Sequence, residues 1–493
     1  MRARDSFVLF LIVFLITRLL LCLFIWSSDI GLMPDEAQYW TWSQNLDWGY
    51  YSKPPGIAWQ IALGTSLFGN TEFGVRFVSL LLPLGIALLL RSLVVDVTND
   101  RKVGWVTAMA FILSPIGFVS SLFATTDGGM IFFWLLALLG YSRSLGSKKR
   151  FLVVGLIIAV GGLWKWMSYT LWIPILAFEL WRRQKDRGHI IWGMILSCVG
   201  LLPSVFWNMS HDWPTFRHVF GTISVAHKAG SVPNFFDFLL AGVAFISPGF
   251  FLIGLPSLFR KNARLFLFQL VVCIIWGWML GLSCFRKMQG NWAIAAQTTF
   301  FIMVGVSLAR YVRWRSPLVI SAAIISALLQ LLIFVPPYIG GPLLAYSPLK
   351  SGLGNKRISS CFSRTGYRPG KDFLFASRYQ DVSQLWFYGP EQKKVYFLNL
   401  HHLRKNQFCY WPGMSEECVG RDGFFVAFVV RSHARSLAAR ARRYIKELAP
   451  YFLRVDQPKI FYLEGSEESS LRAMVVIHAH HYRGTVPQSV DKY

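Results

Sequence analysis

Long apolar runs separated by short basic breaks fill the first two thirds of the chain, and the pattern changes near Tyr338 to mixed polar and apolar positions. A run of about 20 apolar residues is long enough to cross a bilayer as a helix. Eleven stretches qualify as candidates, at 7–26, 74–95, 103–122, 130–145, 151–163, 168–181, 190–207, 236–258, 265–284, 292–309 and 317–335. Two readings compete for the short fifth and sixth: two tilted crossings in a locally thinned bilayer, or a re-entrant hairpin. The first run follows the basic start Met1-Arg2-Ala3-Arg4 and lacks a small-residue cleavage site before Asp29, so it reads as a retained anchor. Beyond Tyr338, apolar runs at 373–376, 395–398, 424–430, 451–455, 460–463 and 474–477 read as strands, and 381–388 and 432–448 as helices. That alternation predicts a polytopic α-helical membrane protein, 1–337, carrying a small C-terminal α/β extracytoplasmic domain, 338–493.

Composition agrees: 54% of the 493 residues are hydrophobic, with 20 Trp and 41 Phe. Placing the N-terminus in the cytoplasm makes every inner loop basic, from Arg101-Lys102 through Lys148-Lys149-Arg150 to Arg310, as the positive-inside rule requires. The stretch 28–73 and the C-terminal domain then lie on the outer side of the membrane. From Ile339 onward 23 Lys and Arg stand against 12 Asp and Glu, a net of +11. A basic outer domain suits anionic headgroups or phosphorylated glycolipid, and no nucleic-acid motif is visible. Oligomeric state is not legible.

The polar, aromatic stretch Met33–Gly56, MPDEAQYWTWSQNLDWGYYSKPPG, interrupts the apolar pattern and holds the first candidate chemistry. Pro34 followed by Asp35 and Glu36 is a helix start with negative charge in the first turn, and a helix over about 35–45 follows. Neighbours on a helix diverge by roughly 100°, so the two acids do not share one small site, whereas Asp35, Gln38, Tyr39 and Trp42 recur on one face. Tyr50 and Tyr51 lead to Lys53, presented from a backbone that Pro54 and Pro55 stiffen. The bland alternative is an acid stabilising a helix start and a lysine snorkelling to headgroups.

Further candidates emerge on the same side. Asp127 begins the fourth span, where it either caps the helix or supplies a second functional acid. Lys165 lies in the turn Trp164-Lys165-Trp166, Arg217 follows Trp213-Pro214-Thr215-Phe216, and Arg286, Lys287 and Asn291 lie before the tenth span. Cations in outer loops run against the positive-inside bias and ask for an anion, which bulk headgroups also supply. Arg18, within the first span, needs a partner such as a lipid phosphate or an acid on another helix. His478, His480 and His481 lack a carboxylate or cysteine at ligand spacing and read as solvated surface. A Cys409–Cys418 disulfide across the turn Trp411-Pro412-Gly413 is one pairing among those three outer cysteines allow.

The ordered set of these motifs resembles the bacterial members of the dolichyl-phosphate-mannose protein mannosyltransferase superfamily, multi-spanning glycosyltransferases of the GT-C type (glycosyltransferase family 39) that include the lipid A aminoarabinose transferase. The carriers are Asp35-Glu36 with Tyr39, Tyr50 to Pro55, Thr126-Asp127 with Phe132-Phe133-Trp134, Trp207-Asn208 with Asp212 to Phe216, Lys287 with Asn291-Trp292, and in the tail Arg378-Tyr379-Gln380, Phe387-Tyr388, Asn406-Gln407 and Trp411-Pro412. The resemblance implies that Asp35 is the catalytic carboxylate, Asp127 a second acid of the site, and Tyr39, Tyr50 and Lys53 neighbours of a donor phosphate. With these, Glu36, Lys165, Arg217, Arg286, Lys287 and Asn291 complete the candidate substrate contacts. Ser52, where the aminoarabinose transferases carry an acid, and Gly128-Gly129 after Asp127 count against an aminosugar donor.

The implied reaction is transfer of a sugar from a polyprenyl-phosphate-linked donor to a lipid or protein acceptor, with inversion. A leaving phosphate needs cations, and the attacking hydroxyl needs a base such as Asp35. No cofactor is expected, since the donor arrives dissolved in the membrane. Two other classes are a lipid or sugar transporter or flippase, and a non-catalytic scaffold of the same fold. Transporters commonly show repeated halves and mid-bilayer acids, which this chain lacks.

Overall fold

The computed structural model describes residues 3–183, 188–224, 233–310, 316–335, 338, 347–430, 437–464 and 470–487. Each of the eleven apolar stretches is helical. Among the described residues, five helices are long and apolar enough to cross a membrane by themselves, and up to seven if each of two bent pairs counts as one span. The bends break stretches that the apolar pattern runs together: Arg101–Leu113 meets Pro115–Leu122 at 60°, and Phe235–Ile246 meets Pro248–Leu258 at 97°. Both breaks fall at Ser-Pro, where proline offers no N–H and pushes the preceding residue out of the helical region. Arg150–Gly162 has 13 residues, about 20 Å of helix against a hydrocarbon core of about 30 Å.

Two helices occupy the stretch between the first two spans. Pro34–Ser43 forms where the proline and acids predicted it. Gly56–Phe68 lies inside what the apolar pattern leaves as loop. Its 13 residues are too few for a span, and it packs flat on the helix Glu72–Thr98. A β-carbon on Gly64 would sit 2.1 Å from the Gly74 carbonyl oxygen, so only glycine permits that approach.

One buried ion pair ties this region together. Arg76, on Glu72–Thr98, holds both oxygens of Glu36 at 2.6 and 2.8 Å and also donates to the Gly31 carbonyl at 3.1 Å. Glu36 in turn accepts from the Met33 and Ala124 amides at 2.9 and 3.0 Å. Both side chains are 1% exposed. At the opposite ends of the helices Arg150 pairs with Glu179 at 3.1 Å, again fully buried, and Tyr141 donates to the same carboxylate. Arg18 finds no acid among the described residues: it donates to the Leu80 carbonyl at 3.1 Å and lies over the Phe14 ring.

All six expected strands form, in the order β2 (Val395–Phe397), β1 (Phe373–Ala376), β3 (Gly423–Val430), β6 (Arg472–Tyr482), β4 (Phe452–Val455), with β5 (Lys459–Tyr462) also on β6. β1 runs parallel to β2 and β3, whereas β6 is antiparallel to β3, β4 and β5. One sheet face buries Phe425, Val475 and Ile477 with Tyr444 of the helix Leu437–Leu448. The other, with Phe424, Val426 and Val476, joins Trp40, Trp42 and Ile61 in one continuous apolar core. The C-terminal sheet is therefore seated on the Met33–Gly56 end of the helices. Trp40 meets Phe387 edge-on at 4.9 Å, Asn355 donates to the Leu32 carbonyl at 3.0 Å, and the Tyr51 amide donates to Gln407 at 2.7 Å.

Removing one member of a buried pair strands a charge, at a cost of about 3–5 kcal/mol, whereas exposed pairs contribute about 0–1 kcal/mol. Arg76→Ala is therefore expected to lower the thermal unfolding midpoint in detergent far more than Arg143→Ala, whose partner Asp96 lies at the surface. Equal shifts would remove Glu36–Arg76 from its central place.

Candidate active site

The segment after the helix Pro34–Ser43 turns back on itself through a bridge between Tyr50 and Lys53. Tyr50 stacks flat on Trp42 at 4.7 Å, with its hydroxyl 3.1 Å from the Trp42 and Asn45 carbonyls. Tyr50 is thus fully buried in the floor beneath the turn. Gly56 follows, its amide donating to the Leu163 carbonyl at 2.7 Å. A β-carbon there would meet that oxygen at 2.7 Å and Trp164 at 2.8 Å. Trp164 also lies across Gly129, where a β-carbon would come within 2.4 Å of its Nε1. Two glycines thus let one indole lock the turns of Lys53, Asp127 and Lys165 against each other, with Trp164 donating to Gln60 at 2.9 Å.

A charged hollow lies above this floor. Asp127 sits in the first turn of Thr126–Arg143, but its carboxylate does not cap the helix. Its oxygens accept instead from Lys165 Nζ at 2.6 Å and Asn291 Nδ2 at 3.0 Å, joining three loops. Lys53 is close enough to Lys165, Asp127, Asp35 and Arg404 for each to affect its ionisation; burial, then Lys165, lowers its pKa below that of an ordinary lysine. Asp35 has no hydrogen-bond or ion-pair partner among the described residues, yet the walls around it raise its carboxyl pKa. Lys53 and Arg404 oppose that rise, and Glu36 adds to it. Tyr39 is buried between the two acids, its phenol held well above the usual value by burial and then by Asp35 and Asp127. Two carboxylates, Asp35 and Asp127, thus face three cations, Lys53, Lys165 and Arg404, an excess of one positive charge that favours an anionic ligand.

Arg404 escapes sequence reasoning because it belongs to the loop after β2, more than 350 residues from Asp35 in the chain. Its hydrogen bond to Tyr379 and its influence on His218, whose pKa falls to about 4 chiefly through burial, place the loop over the hollow. Six of the expected residues meet here: Asp35, Tyr39, Lys53, Asp127, Lys165 and Asn291. Glu36 faces Arg76 instead, Tyr50 lies below, and Arg217 is paired with Asp212 at 2.8 Å on the exposed surface. Arg286 and Lys287 lie on the strand of loop leading to Asn291, outside the hydrogen-bonded cluster. All seven cysteines are free, including Cys409 and Cys418.

A second hollow of about 360 Å³ opens on the C-terminal side of Asp35, lined by Arg378, Asp381, Gln384 and Arg472 among others. Arg472 is buried, donating to Gln384 at 2.7 Å and Leu353 at 2.9 Å. Asp381 is buried with one oxygen unpartnered, and burial pushes its carboxyl up to about 6.

Apolar spans carrying a cluster of buried and half-buried charges under a C-terminal sheet are the architecture of a multi-pass membrane protein with a candidate anion site. Residues 52–207 match the family described as dolichyl-phosphate-mannose-protein mannosyltransferase. The lipid A galacturonosyltransferase RgtD of Rhizobium johnstonii is 30% identical over 380 residues, 72% of this chain and 76% of that protein. An undecaprenyl phosphate-alpha-4-amino-4-deoxy-L-arabinose arabinosyl transferase of Pseudomonas paraeruginosa is 29% identical over 208 residues, 37% of each chain. The crystal structure of ArnT from Cupriavidus metallidurans bound to undecaprenyl phosphate superposes with a TM-score of 0.67 at 14% identity, over 97% of this chain and 98% of that one, and so shares the fold. The chain belongs to this family of GT-C membrane proteins and is a glycosyltransferase.

The interlock of glycines with Trp164 carries its own test. Gly129→Ala drives a methyl group into the indole and is expected to cost about 1–3 kcal/mol, with loss of transfer activity as Lys165 shifts. Gly146→Ala, which meets nothing within 4 Å, serves as the control. Thermal unfolding and activity of the two variants decide, and equal behaviour removes Trp164 from its positioning role.

Proposed function

We propose that the protein moves a sugar from a polyprenyl-phosphate donor to an anionic lipid acceptor, with inversion, on the outer face of a bacterial inner membrane. The observation that carries this reading is the Asp35 carboxylate, without a partner among the described residues, between two cation-lined hollows. The donor phosphate lies against Lys53 and Lys165, whose ammonium groups offset the charge that grows as the anomeric C–O bond breaks. Asp127 holds Lys165 in place and Asn291 completes the pocket. Asp35 takes the proton from the acceptor hydroxyl as its oxygen attacks the opposite face of the anomeric carbon. If the acceptor oxygen is already anionic, Asp35 instead stabilises the oxocarbenium-like centre.

The acceptor approaches from the second hollow, where Arg378 and Arg472 suit a phosphorylated headgroup of the lipid A class, the acceptor that RgtD's name prints. In this reading residues 1–337 carry the catalytic site and 338–493 form an outer domain that contributes Arg404, Arg378 and Arg472. The net +11 of that segment supports an anionic acceptor over a neutral one. The N-terminus is cytoplasmic.

Asp35→Asn is expected to reduce transfer from a synthetic polyprenyl-phosphate sugar by at least about a thousandfold while the protein stays folded; full activity in the variant refutes the role. The pH profile gives a second check. The working form of Asp35 is the anion, so activity falls as pH drops through its raised pKa. Lys53 holds that pKa down, so Lys53→Met is expected to weaken donor use and shift the acidic limb to higher pH. An unmoved limb separates Lys53 from Asp35.

A further inference from the structure

The end of the C-terminal sheet gathers side chains that take no part in the proposed transfer. His478 and His480 alternate with Ala479 on β6 and so share one face. Asp422, just before β3, and Asp456, just after β4, flank them on either side. Asp422 Oδ2 lies 3.7 Å from His478 Nε2 and 3.3 Å from His480 Nδ1. The three ligand atoms all fall within 4.8 Å of one another. Zinc bonds of about 2.0–2.1 Å to nitrogen and oxygen in a tetrahedron require ligand separations of roughly 3.3–3.4 Å, so small side-chain rotations seat an ion among these atoms.

Two further observations support a site rather than a chance meeting of charges. His478 Nε2 is buried without a hydrogen-bond partner on the side that faces Asp422. The far nitrogens of both rings meet a second carboxylate: Asp456 Oδ2 is 2.9 Å from His480 Nε2 and 3.6 Å from His478 Nδ1. A metal-bound imidazole commonly donates its other N–H to a carboxylate, which fixes the tautomer and raises its basicity. The Asp422 carboxylate is itself aimed, because its Oδ1 accepts from the His481 amide at 2.9 Å, leaving Oδ2 toward the rings.

Two arginines stand nearby and do not close the site. Arg454 pairs with Asp456 Oδ1 at 3.2 Å and lies 2.8 Å from His480 Nε2, a contact in which the guanidinium donates and which gives way to Asp456 when an ion at Nδ1 leaves the proton on Nε2. Arg368 is committed to Asp372 at 2.8 Å and is 3.8 Å from Asp422. Stacking of His478 on Phe424 at 4.2 Å fixes one ring. The ligands remain 20–28% exposed, so an ion has access from solvent.

We propose that Asp422, His478 and His480 form a binding site for a divalent transition metal of the zinc class, with Asp456 as the carboxylate behind the imidazoles. Imidazole with carboxylate suits zinc over calcium or magnesium, which take oxygen ligands. The bound ion joins the start of β3 to the end of β6, and Asp456 extends the link to β4. It fastens the β3–β6–β4 part of the sheet, across β1 from β2 and its Arg404 loop.

The test uses the full chain in detergent, without a polyhistidine tag and stripped with a chelator. Zinc titrated by calorimetry is expected to bind one equivalent in the wild type and in Asp35→Asn/Asp127→Asn, which removes the acids of the transfer site from the count. His478→Gln/His480→Gln is expected to lose that equivalent, and Asp456→Asn to bind it about 10–100-fold more weakly. Zinc is also expected to raise the thermal midpoint of the wild type and leave that of the double-histidine variant unchanged, a comparison that holds even where the variant is less stable. No saturable zinc binding by the wild type, or an equivalent retained by the double-histidine variant, overturns the proposal.

Discussion

The geometry of the proposed transfer site rests on a carboxylate that takes no part in the proposed chemistry. Glu36 is fully buried, paired in bidentate fashion with Arg76, and bonded to the Met33 and Ala124 amides. A buried charge is tolerated only when its partners are complete, so this one residue fixes the start of its own helix, the helix Glu72–Thr98 and the loop before Asp127 relative to each other. Because neighbouring helical side chains diverge by about 100°, holding Glu36 inward turns Asp35 outward into the hollow. Two adjacent acids therefore have opposite fates, one consumed in structure and one without a partner among the described residues.

The second constraint is steric. Trp164 can lie across the floor only because Gly56 and Gly129 carry no side chain there. The absence of a β-carbon at Gly129 has a local physical reason here, independent of which sugar is transferred. The tryptophan then presents Lys165 to Asp127, and the Tyr50–Lys53 bridge presents the second ammonium from a turn braced by Trp42. The cations end up beside one another, which raises the affinity of the hollow for a phosphate that neutralises both.

Much of this was legible in the sequence because period and charge act locally. The apolar runs all became helices, and the six strands appeared where β-rich runs predicted them. That Asp35, Lys53 and Asp127 come near one another could be expected from polar residues set into apolar surroundings. What could not be read depends on long-range approach. Arg404 and Arg472 reach the site only because the sheet docks through Trp40, Phe387 and Leu32 contacts. The helix Gly56–Phe68 was hidden because a 13-residue apolar run matches neither a span nor an amphipathic stripe. The histidines of β6 lacked a carboxylate nearby in sequence, and two aspartates arrive from other strands. Asp127 carried a helix-capping signal but uses its oxygens on Lys165 and Asn291.

The central claim is that one hollow brings a lipid-borne phosphate to Lys53 and Lys165 with the anomeric carbon facing Asp35. The most direct measurement is a cryo-electron microscopy structure of the full chain with a non-transferable polyprenyl-phosphate sugar analogue. The account predicts phosphate density within hydrogen-bond reach of both lysines, and the sugar between that phosphate and the Asp35 carboxylate. A phosphate bound elsewhere, or a sugar on the far side of Asp127 with Asp35 turned away, contradicts it.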